Sequence, residues 1–425
     1  MNKASELRLK ELDDGIGQPP SAPTTTTTTK IVSRRPVVWH VAGEDAHVRI
    51  PSLLALRKLG YDVGVCGWCD EQPFLDANIP FYQYPVRRFL SPLSDKKSIQ
   101  TLTELMRQHQ PDIVHGFSTK PSLFSPQAAA KAGVRVNVRT VTGMGYLFSD
   151  RNLKTKLLRP IYRALQRRVA RLTDSTVFQN SDDRGYFIDR GLVDAKKATL
   201  IPGSGVDPER FLESYESKSK IHDVREELGL QDKKVVLMVT RMVRSKGVND
   251  FLSAALMFQK QHQEENVQFV LIGPLATEGS QAVPLSEIEA ASSAVRYLGR
   301  REDIVTFMQM ADVFVLPTLY REGIPRVLLE AASAQTPIVT TDMPGCREVV
   351  THGDTGLLVP RKNPEAIASA VNSLLSDESL RRKVMEGALS RVHQQFAFEH
   401  VVSKYDELYR GLLQQKKVPA WPSQH

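Results

Sequence analysis

REGIPRVLLEAASAQTPIVTTDMPGCREVVTHGDTGLLV, residues 321–359, sets two glutamates, Glu322 and Glu330, around a Gly-Ile-Pro turn. The turn predicts the start of a helix, because the missing N–H of Pro325 would lie unpaired in a first helical turn anyway. The unbonded N–H groups and the dipole of that turn attract an anion. At a rise of about 1.5 Å per residue, Glu330 lies roughly 8–12 Å further along. With a diphosphate at the turn, one carboxylate can hold hydroxyls on its near side and the other can hold hydroxyls beyond it. Sugar, two phosphates and ribose, the layout of a nucleotide-sugar, answer to that spacing. Two helical glutamates alone would read as a solvated face. The Gly-Pro turn between them and the strand-like PIVTT that follows give the pair its weight.

Outward from this stretch, short apolar runs alternate with helical patterns, as in parallel α/β layers. In the second half KKVVLMVT, VQFVLIG, VRYLG, DVFVLPT, PIVTT and GLLV read as strands. In the first half PVVWHVAG, YDVGVCG, FYQYPV, DIVHGF, VRVNVRTVTG, STVFQN and ATLIPG do so. A polar stretch near residues 208–223 reads as a linker, and residues 1–33, with PPSAPTTTTTTK, as a disordered tail. Two consecutive doubly wound sheets imply a cleft between them, with ligands at the C-terminal ends of the strands. The last helical stretch, HVVSKYDELYRGLLQQ, suits packing on either half.

The 425 residues suffice for two domains, and 41% hydrophobic with 24% charged residues fits a globular protein. No apolar run approaches the ~20 residues needed to cross a bilayer, and MNKASELRLKELDDG lacks an apolar leader core, so a cytoplasmic protein is expected. A formal net charge of +8 favours an anionic partner such as phosphates or a membrane surface. No nucleic-acid motif accompanies it, so nucleic acid is not an expected partner. Three cysteines exclude a disulfide scaffold. Cys66-Gly-Trp-Cys69 spells C-x-x-C, which reads either as a redox pair or as two free thiols in a strand-to-helix loop.

Arg241 and Lys246, in TRMVRSKGVNDF, follow the first strand of the second half and can reach a diphosphate there, with Gly247 letting the next helix start close by. Arg244 has no assigned role. The segment 151–171, RNLKTKLLRPIYRALQRRVAR, carries eight basic residues and no acidic one. Leu158, Ile161, Tyr162, Leu165 and Val169 recur at helical spacing around a kinking Pro160. Such a helix packs its apolar face on the core, lies on an anionic membrane, or does both.

The order TRMVRSKG, VRYLGRREDI, ADVFVLP, EGIPRVLLEAASAQTPIV, GCREVVTHGDTGLLV resembles the retaining glycosyltransferases of family 4. DAHVRIPSLLALRKLGYDV, HGFSTKPSLF, RTVTGMGYLF, FQNSDDRGYFIDRGLV and LIPGSGVDPERF resemble the subset that builds bacterial surface polysaccharides. The likeness spans about residues 36–412 and implies the α/β GT-B fold, two Rossmann-like domains with a central cleft. It implies an acceptor-binding domain over 34–207, completed by a returning C-terminal helix at 396–415, and a nucleotide-sugar domain over 208–395.

By the same resemblance Glu322 would contact the donor sugar beside the reacting carbon, and N–H groups of Gly323, Ile324 and Arg326 would meet sugar and phosphate oxygens. Arg241 and Lys246 would neutralise the leaving diphosphate, and Glu330 would hold the ribose. Many relatives carry a His where Thr142 stands. His115 could substitute for it, or serve as a satisfied structural residue. Gly143 and Gly145 suit a close approach to substrate or a plain turn, and Lys120 suits an acceptor phosphate or solvent. No Asp-x-Asp occurs, so neither a metal nor any cofactor is expected. The implied reaction moves a sugar from a UDP-sugar (N-acetylhexosamine, deoxy-aminosugar or galactose) to a polyprenyl-diphosphate-linked glycan at the inner face of the plasma membrane, with retention. A nucleotide-sugar epimerase or phosphorylase, or a catalytically silent binding protein, is the alternative on the same fold.

Overall fold

Seven strands of the first half form one all-parallel sheet: β1 (Val37–Val41), β2 (Asp62–Gly67), β3 (Phe81–Gln83), β4 (Ile113–Gly116), β5 (Val136–Val141), β6 (Ser175–Phe178) and β7 (Ala198–Leu200). Their order is β3-β2-β1-β4-β5-β6-β7. The second half supplies β8 (Lys234–Val239), β9 (Val267–Ile272), β10 (Val295–Tyr297), β11 (Val313–Leu316), β12 (Ile338–Thr341) and β13 (Leu357–Val359), ordered β10-β9-β8-β11-β12-β13 and again all parallel. The chain is a computed structural model that describes residues 34–417 apart from 88–90, 146–147, 149–152, 204, 213–214, 263–265 and 277–278. The Thr-rich tail lies outside the described residues.

Each strand expected from the apolar runs is present, for a simple reason. A parallel strand covered by helices on both faces must be apolar throughout. Val235, Val236, Leu237 and Met238 of β8 are all 0% exposed. In both sheets the order reverses beside the first strand, with β1 between β2 and β4 and β8 between β9 and β11. That switch point is where ligands of such sheets bind.

The polar stretch read as a linker is in fact largely structured. A short turn, Pro208–Phe211, is followed by a helix, Tyr215–Glu227. Phe211 and, from the helix, Ile221 and Val224 pack on the core of the second lobe, and within 208–223 such scattered anchors among polar residues do not register as periodicity. The chain changes lobes twice, at Val206 and at Ala397. The two crossings are hydrogen-bonded side by side, Val206 N–H to the Phe396 carbonyl and Phe398 N–H to the Val206 carbonyl, at 3.0 and 2.9 Å. The final helix, Phe398–Gln415, then packs on helix Ile50–Lys58 and on β5 in the first lobe. Tyr61 Oη donates to Asp406 Oδ1 at 2.6 Å across that contact. Both sheets belong to one compact unit.

The basic helix, Leu153–Arg171, buries only part of the apolar set expected of it: Val169 is buried and Tyr162 half-buried, whereas Leu158, Ile161 and Leu165 are exposed. Thr155, Gln166, Val169 and Ala170 face inward, while Leu157 is 68% and Ile161 66% exposed. Arg139 of β5 explains the rotation. It is fully buried, so its guanidinium needs polar partners. It donates to Gln166 Oε1 at 2.6 Å and to the Gln166 carbonyl at 3.3 Å. Holding Gln166 inward turns Leu157, Ile161 and Leu165 outward.

Candidate active site

The loop after β8 carries Arg241, which is exposed, and a single helical turn, Arg244–Lys246. Gly247 ends that turn at φ +80°, with its Cα so near the Pro317 carbonyl that no Cβ would fit. This approach seats Lys246 beside the loop that follows β11. Its Nζ lies 2.7 Å from Glu322 Oε1, both side chains being 18% exposed, and 5.7 Å from the Tyr320 ring centroid. The ammonium meets that oxygen off the hydrogen-bond direction, so Glu322 Oε1 keeps unused accepting capacity. The pair is held by charge rather than by saturated geometry, and a ligand can divide it. Arg244, by contrast, forks onto Glu287, which also accepts from Asn249 at 2.8 Å.

Helix Arg326–Ser333 starts directly after Pro325, which stands as the cap residue just outside it. Ile324 packs on the core of the second lobe. One turn into the helix, Arg326 Nε donates to Glu330 Oε1 at 3.0 Å. Burial raises the Glu330 carboxyl above the usual carboxylate range, and the Arg326 guanidinium pulls it part of the way back.

The first lobe reaches this loop from the C-terminal ends of β5 and β6. Gly323 N–H donates to the Thr142 carbonyl at 2.9 Å, and Gly145 N–H to the Arg321 carbonyl at 3.0 Å. In this conformation the Gly323 N–H is therefore taken by the other lobe, not open to a phosphate. Gly143, at φ +113°, makes the approach possible: a Cβ there would sit 2.6 Å from Gly323 N and 2.7 Å from the Arg321 carbonyl oxygen. The close contact this glycine permits is to the facing loop.

Five residues not among the sequence-derived candidates, Asn180, Ser181, Asp183, Arg321 and Glu348, complete the junction. Asn180 caps helix Ser181–Asp189 by accepting from Asp183 N–H at 2.7 Å. Its amide donates to the carbonyls of Glu322 and Gly323 at 3.2 and 3.0 Å. Asp183 Oδ1 accepts from Arg321 Nε at 2.6 Å with its side chain fully buried. Burial raises the Asp183 carboxyl and Arg321 opposes the rise. Glu348 Oε1 accepts from both N–H and Oγ of Ser181 at 2.6 Å. An Asn before Ser-Asp-Asp is a legible helix cap, but its partners across the lobes lie outside any local window.

Two expected contacts lie elsewhere. His115 is 0% exposed, with Nδ1 2.6 Å from Tyr409 Oη and Nε2 2.7 Å from Thr140 Oγ1. Burial, then the neighbouring His40 and Arg49, hold its pKa well below the usual imidazole value. It is a neutral ring tying β4 to the final helix, with no ring atom presented to a ligand. Lys120 Nζ pairs with Asp95 and donates to the Arg87 carbonyl, both at 2.7 Å. Cys66 is buried on β2, and burial pushes its thiol up, opposite to a reactive pair.

Two family models match, the "Glycosyl transferase 4-like domain" over residues 53–203 and "Glycosyl transferases group 1" over residues 220–391. The chain is 28% identical over 87% of its length to a Campylobacter jejuni N,N'-diacetylbacillosaminyl-diphospho-undecaprenol alpha-1,3-N-acetylgalactosaminyltransferase, of which 96% is covered. It is 27% identical over 81% of its length to an Escherichia coli UDP-Gal:alpha-D-GlcNAc-diphosphoundecaprenol alpha-1,3-galactosyltransferase, of which 87% is covered. Among solved structures, a Rickettsia africae glycosyltransferase superposes with a TM-score of 0.72 at 16% identity, covering 90% of this chain and all of that one. Anabaena HepE in complex with UDP-glucose does so with a TM-score of 0.70 at 18% identity, over 88% and 99% of the two chains. Matched in both halves, and sharing the two-sheet architecture, the chain belongs to the family 4, or group 1, glycosyltransferases of the GT-B fold.

Proposed function

We propose that the protein transfers a sugar from a UDP-sugar to a glycan carried on polyprenyl diphosphate, with retention and without a metal. The observation that carries the reading is the Lys246–Glu322 pair, 2.7 Å apart and half-buried at the C-terminal ends of β8 and β11. An incoming nucleotide-sugar supplies each partner with a better one. The diphosphate takes the Lys246 ammonium and, beside it, Arg241. The sugar hydroxyls take the freed Glu322 carboxylate, and the ribose takes Glu330 from Arg326.

As the bond from the anomeric carbon to the β-phosphate oxygen breaks, negative charge grows on the departing UDP, and the two cations stabilise it. The acceptor oxygen bonds to the same face of that carbon, and its proton passes to the departing phosphate. A double displacement would need a second carboxylate about 5 Å from the first across the sugar. The buried carboxylate of Asp183 on the facing lobe is committed to Arg321.

The acceptor's lipid suggests the surface on which the protein works. The exposed Leu157, Ile161 and Leu165 run along one face of the basic helix. Arg163, Arg167 and Arg190, with Tyr186 and Asp189, line a surface pocket of about 430 Å³ next to it. Apolar side chains among cations suit an anionic membrane face. Among the described residues no helix is long and apolar enough to cross a membrane.

The test incubates purified protein with a panel of UDP-sugars and polyprenyl-diphosphate disaccharides and reads products by mass. One donor should yield a trisaccharide with UDP release that depends on acceptor and persists in chelator. Conversion of the donor without acceptor, or no product from any pair, would overturn the reading.

A further inference from the structure

Three consecutive residues of the Glu322 loop have their main chain held by the other lobe. The carbonyl of Arg321 accepts from Gly145 N–H, and those of Glu322 and Gly323 accept from the Asn180 amide. The N–H of Gly323 donates to Thr142. The side chain before Glu322, that of Arg321, is pinned by the buried carboxylate of Asp183. Within the second lobe, the loop is held before Glu322, by Leu319 N–H on the Ser245 carbonyl at 2.8 Å and Tyr320 N–H on Thr318 Oγ1 at 3.1 Å, and Glu322 N–H itself makes a tight turn onto the Tyr320 carbonyl at 3.0 Å.

We infer that Asn180 and Asp183 are positioning residues that set the conformation of the Glu322 loop from the opposite lobe, so that Glu322 is correctly aimed only while the lobes are engaged. The inference rests on the transferase reading and adds to it which groups make the donor site depend on the acceptor lobe.

The chemistry of Asn180 separates this role from ordinary helix capping. A cap needs one acceptor oxygen, which Ser, Thr or Asp would supply equally well. Asn180 is 0% exposed, and besides its capping oxygen it has an NH₂ group aimed at two carbonyls of the facing loop. A cap has no use for that donor, which also reaches Asp183 Oδ2 at 3.1 Å and so ties the buried carboxylate and the facing loop to one side chain. Asp183 argues in the same direction. A fully buried carboxylate is costly unless it is paired and hydrogen-bonded, and its partner, Arg321, belongs to the other lobe. The flanking contacts of Asp182 with Arg347 and of Ser181 with Glu348 are more exposed, and solvent weakens such pairs. They steady the lobes without touching the loop's main chain.

The cleanest variant is Asn180→Ser, which keeps the cap and removes the donor. Thermal stability should fall only modestly, by the bonds lost to Asp183 Oδ2 and to the two carbonyls, and the protein should stay folded at the assay temperature. kcat should fall about 10- to 100-fold, the scale expected when a reacting group is displaced by about an ångström. UDP affinity should stay within about twofold, because the cations and Glu330 come from the second lobe. In a Glu322→Gln background the same change should cost less than about twofold, because groups acting as one unit are not additive. A second arm reads the contact without turnover. Hydrogen exchange of residues 319–327 should be slow in the parent and faster in Asn180→Ser, with residues 181–189 unchanged. Wild-type kcat in Asn180→Ser, fully additive losses with Glu322→Gln, or unchanged exchange at 319–327 would each overturn the inference. A parent protein with no transferase activity would instead overturn the functional reading, and the exchange arm would still report on the contact.

Discussion

Lys246 and Glu322 come from the loops after β8 and β11 and meet 2.7 Å apart with only 18% of each side chain exposed. On the proposed reading the Lys246 ammonium would turn to a phosphate and the Glu322 carboxylate to a sugar hydroxyl. Lys246→Ala should lower kcat about 100- to 1000-fold, the range for losing one preorganised electrostatic stabiliser. UDP should bind more weakly as well. Glu322→Ala should lower kcat to a similar extent while leaving UDP affinity nearly intact. The double variant should be little worse than either single one, since the pair acts as a unit. Steady-state kinetics and calorimetry on the four proteins check this, and a multiplicative loss would separate the two roles.

The Lys246–Glu322 pair was within reach of sequence reading because each half of it lies in a local pattern: cations after a strand, and a glutamate before a Gly-Ile-Pro turn. The thirteen strands were legible for a related reason, since burial on both faces leaves an unbroken apolar run. The interlobe contacts of Asn180, Asp183 and Arg321 left no such trace. A buried side chain that serves a distant main chain needs only one residue, and one residue has no period. The rotation of the basic helix was hidden likewise. Apolar spacing shows which residues share a face, but the direction of that face is fixed here by Arg139 on another element.

Glu330 sets a pH dependence whose sign follows from its surroundings. Burial raises its pKa in the folded chain, with Arg326 opposing. The folded state then binds a proton more tightly than the unfolded chain, so this group's contribution is fully present below the unfolded pKa. It is lost as pH rises through the folded one. Glu330→Gln should therefore flatten the fall in thermal stability as pH rises above the ordinary glutamate range. It should also weaken UDP binding about 10-fold or more, as expected for losing a hydrogen bond to a charged group. Scanning calorimetry across pH and UDP titration check the two effects, and unchanged UDP affinity would remove Glu330 from the ribose site.

Gly143→Ala tests the close approach of the two loops. At φ +113° any Cβ is strained, and this one would lie 2.6 Å from Gly323 N. A cost of about 1–3 kcal/mol is usual for a residue forced into such backbone. Activity should fall more than stability does, because the loop pushed away carries Glu322. A fully active variant would show that the junction tolerates separation during turnover.

The exposed face of the basic helix yields a surface prediction. Leu157→Glu with Ile161→Glu removes apolar area at two positions exposed by 68% and 66% and reverses local charge. Neither side chain is in the core, so the fold should be unaffected. Binding to vesicles of phosphatidylglycerol with phosphatidylcholine should be lost, and in the parent it should weaken with salt as each Lys or Arg contributes about 1 kcal/mol. Turnover of a short-chain, water-soluble acceptor should not change. Vesicle sedimentation checks this, and equal parent binding to purely neutral vesicles would count against a cationic docking face.

His115 tests whether a histidine at the end of a strand serves structure or chemistry. Both ring nitrogens are engaged, by Tyr409 and Thr140, and the ring stacks on Phe117 at 4.1 Å between centroids. His115→Leu keeps most of the volume but takes a close partner from two buried hydroxyls, Tyr409 Oη keeping only His40 Nε2 at 3.3 Å, at a cost of about 1–3 kcal/mol. The first thermal transition should drop by several degrees, because the Tyr409–His115 bond is one of the contacts by which the final helix holds the sheet of the first lobe. Per folded molecule, kcat and KM should stay within about twofold of the parent, as the ring touches no position open to substrate. Loss of turnover at unchanged thermal stability would reverse this and return His115 to the acceptor site.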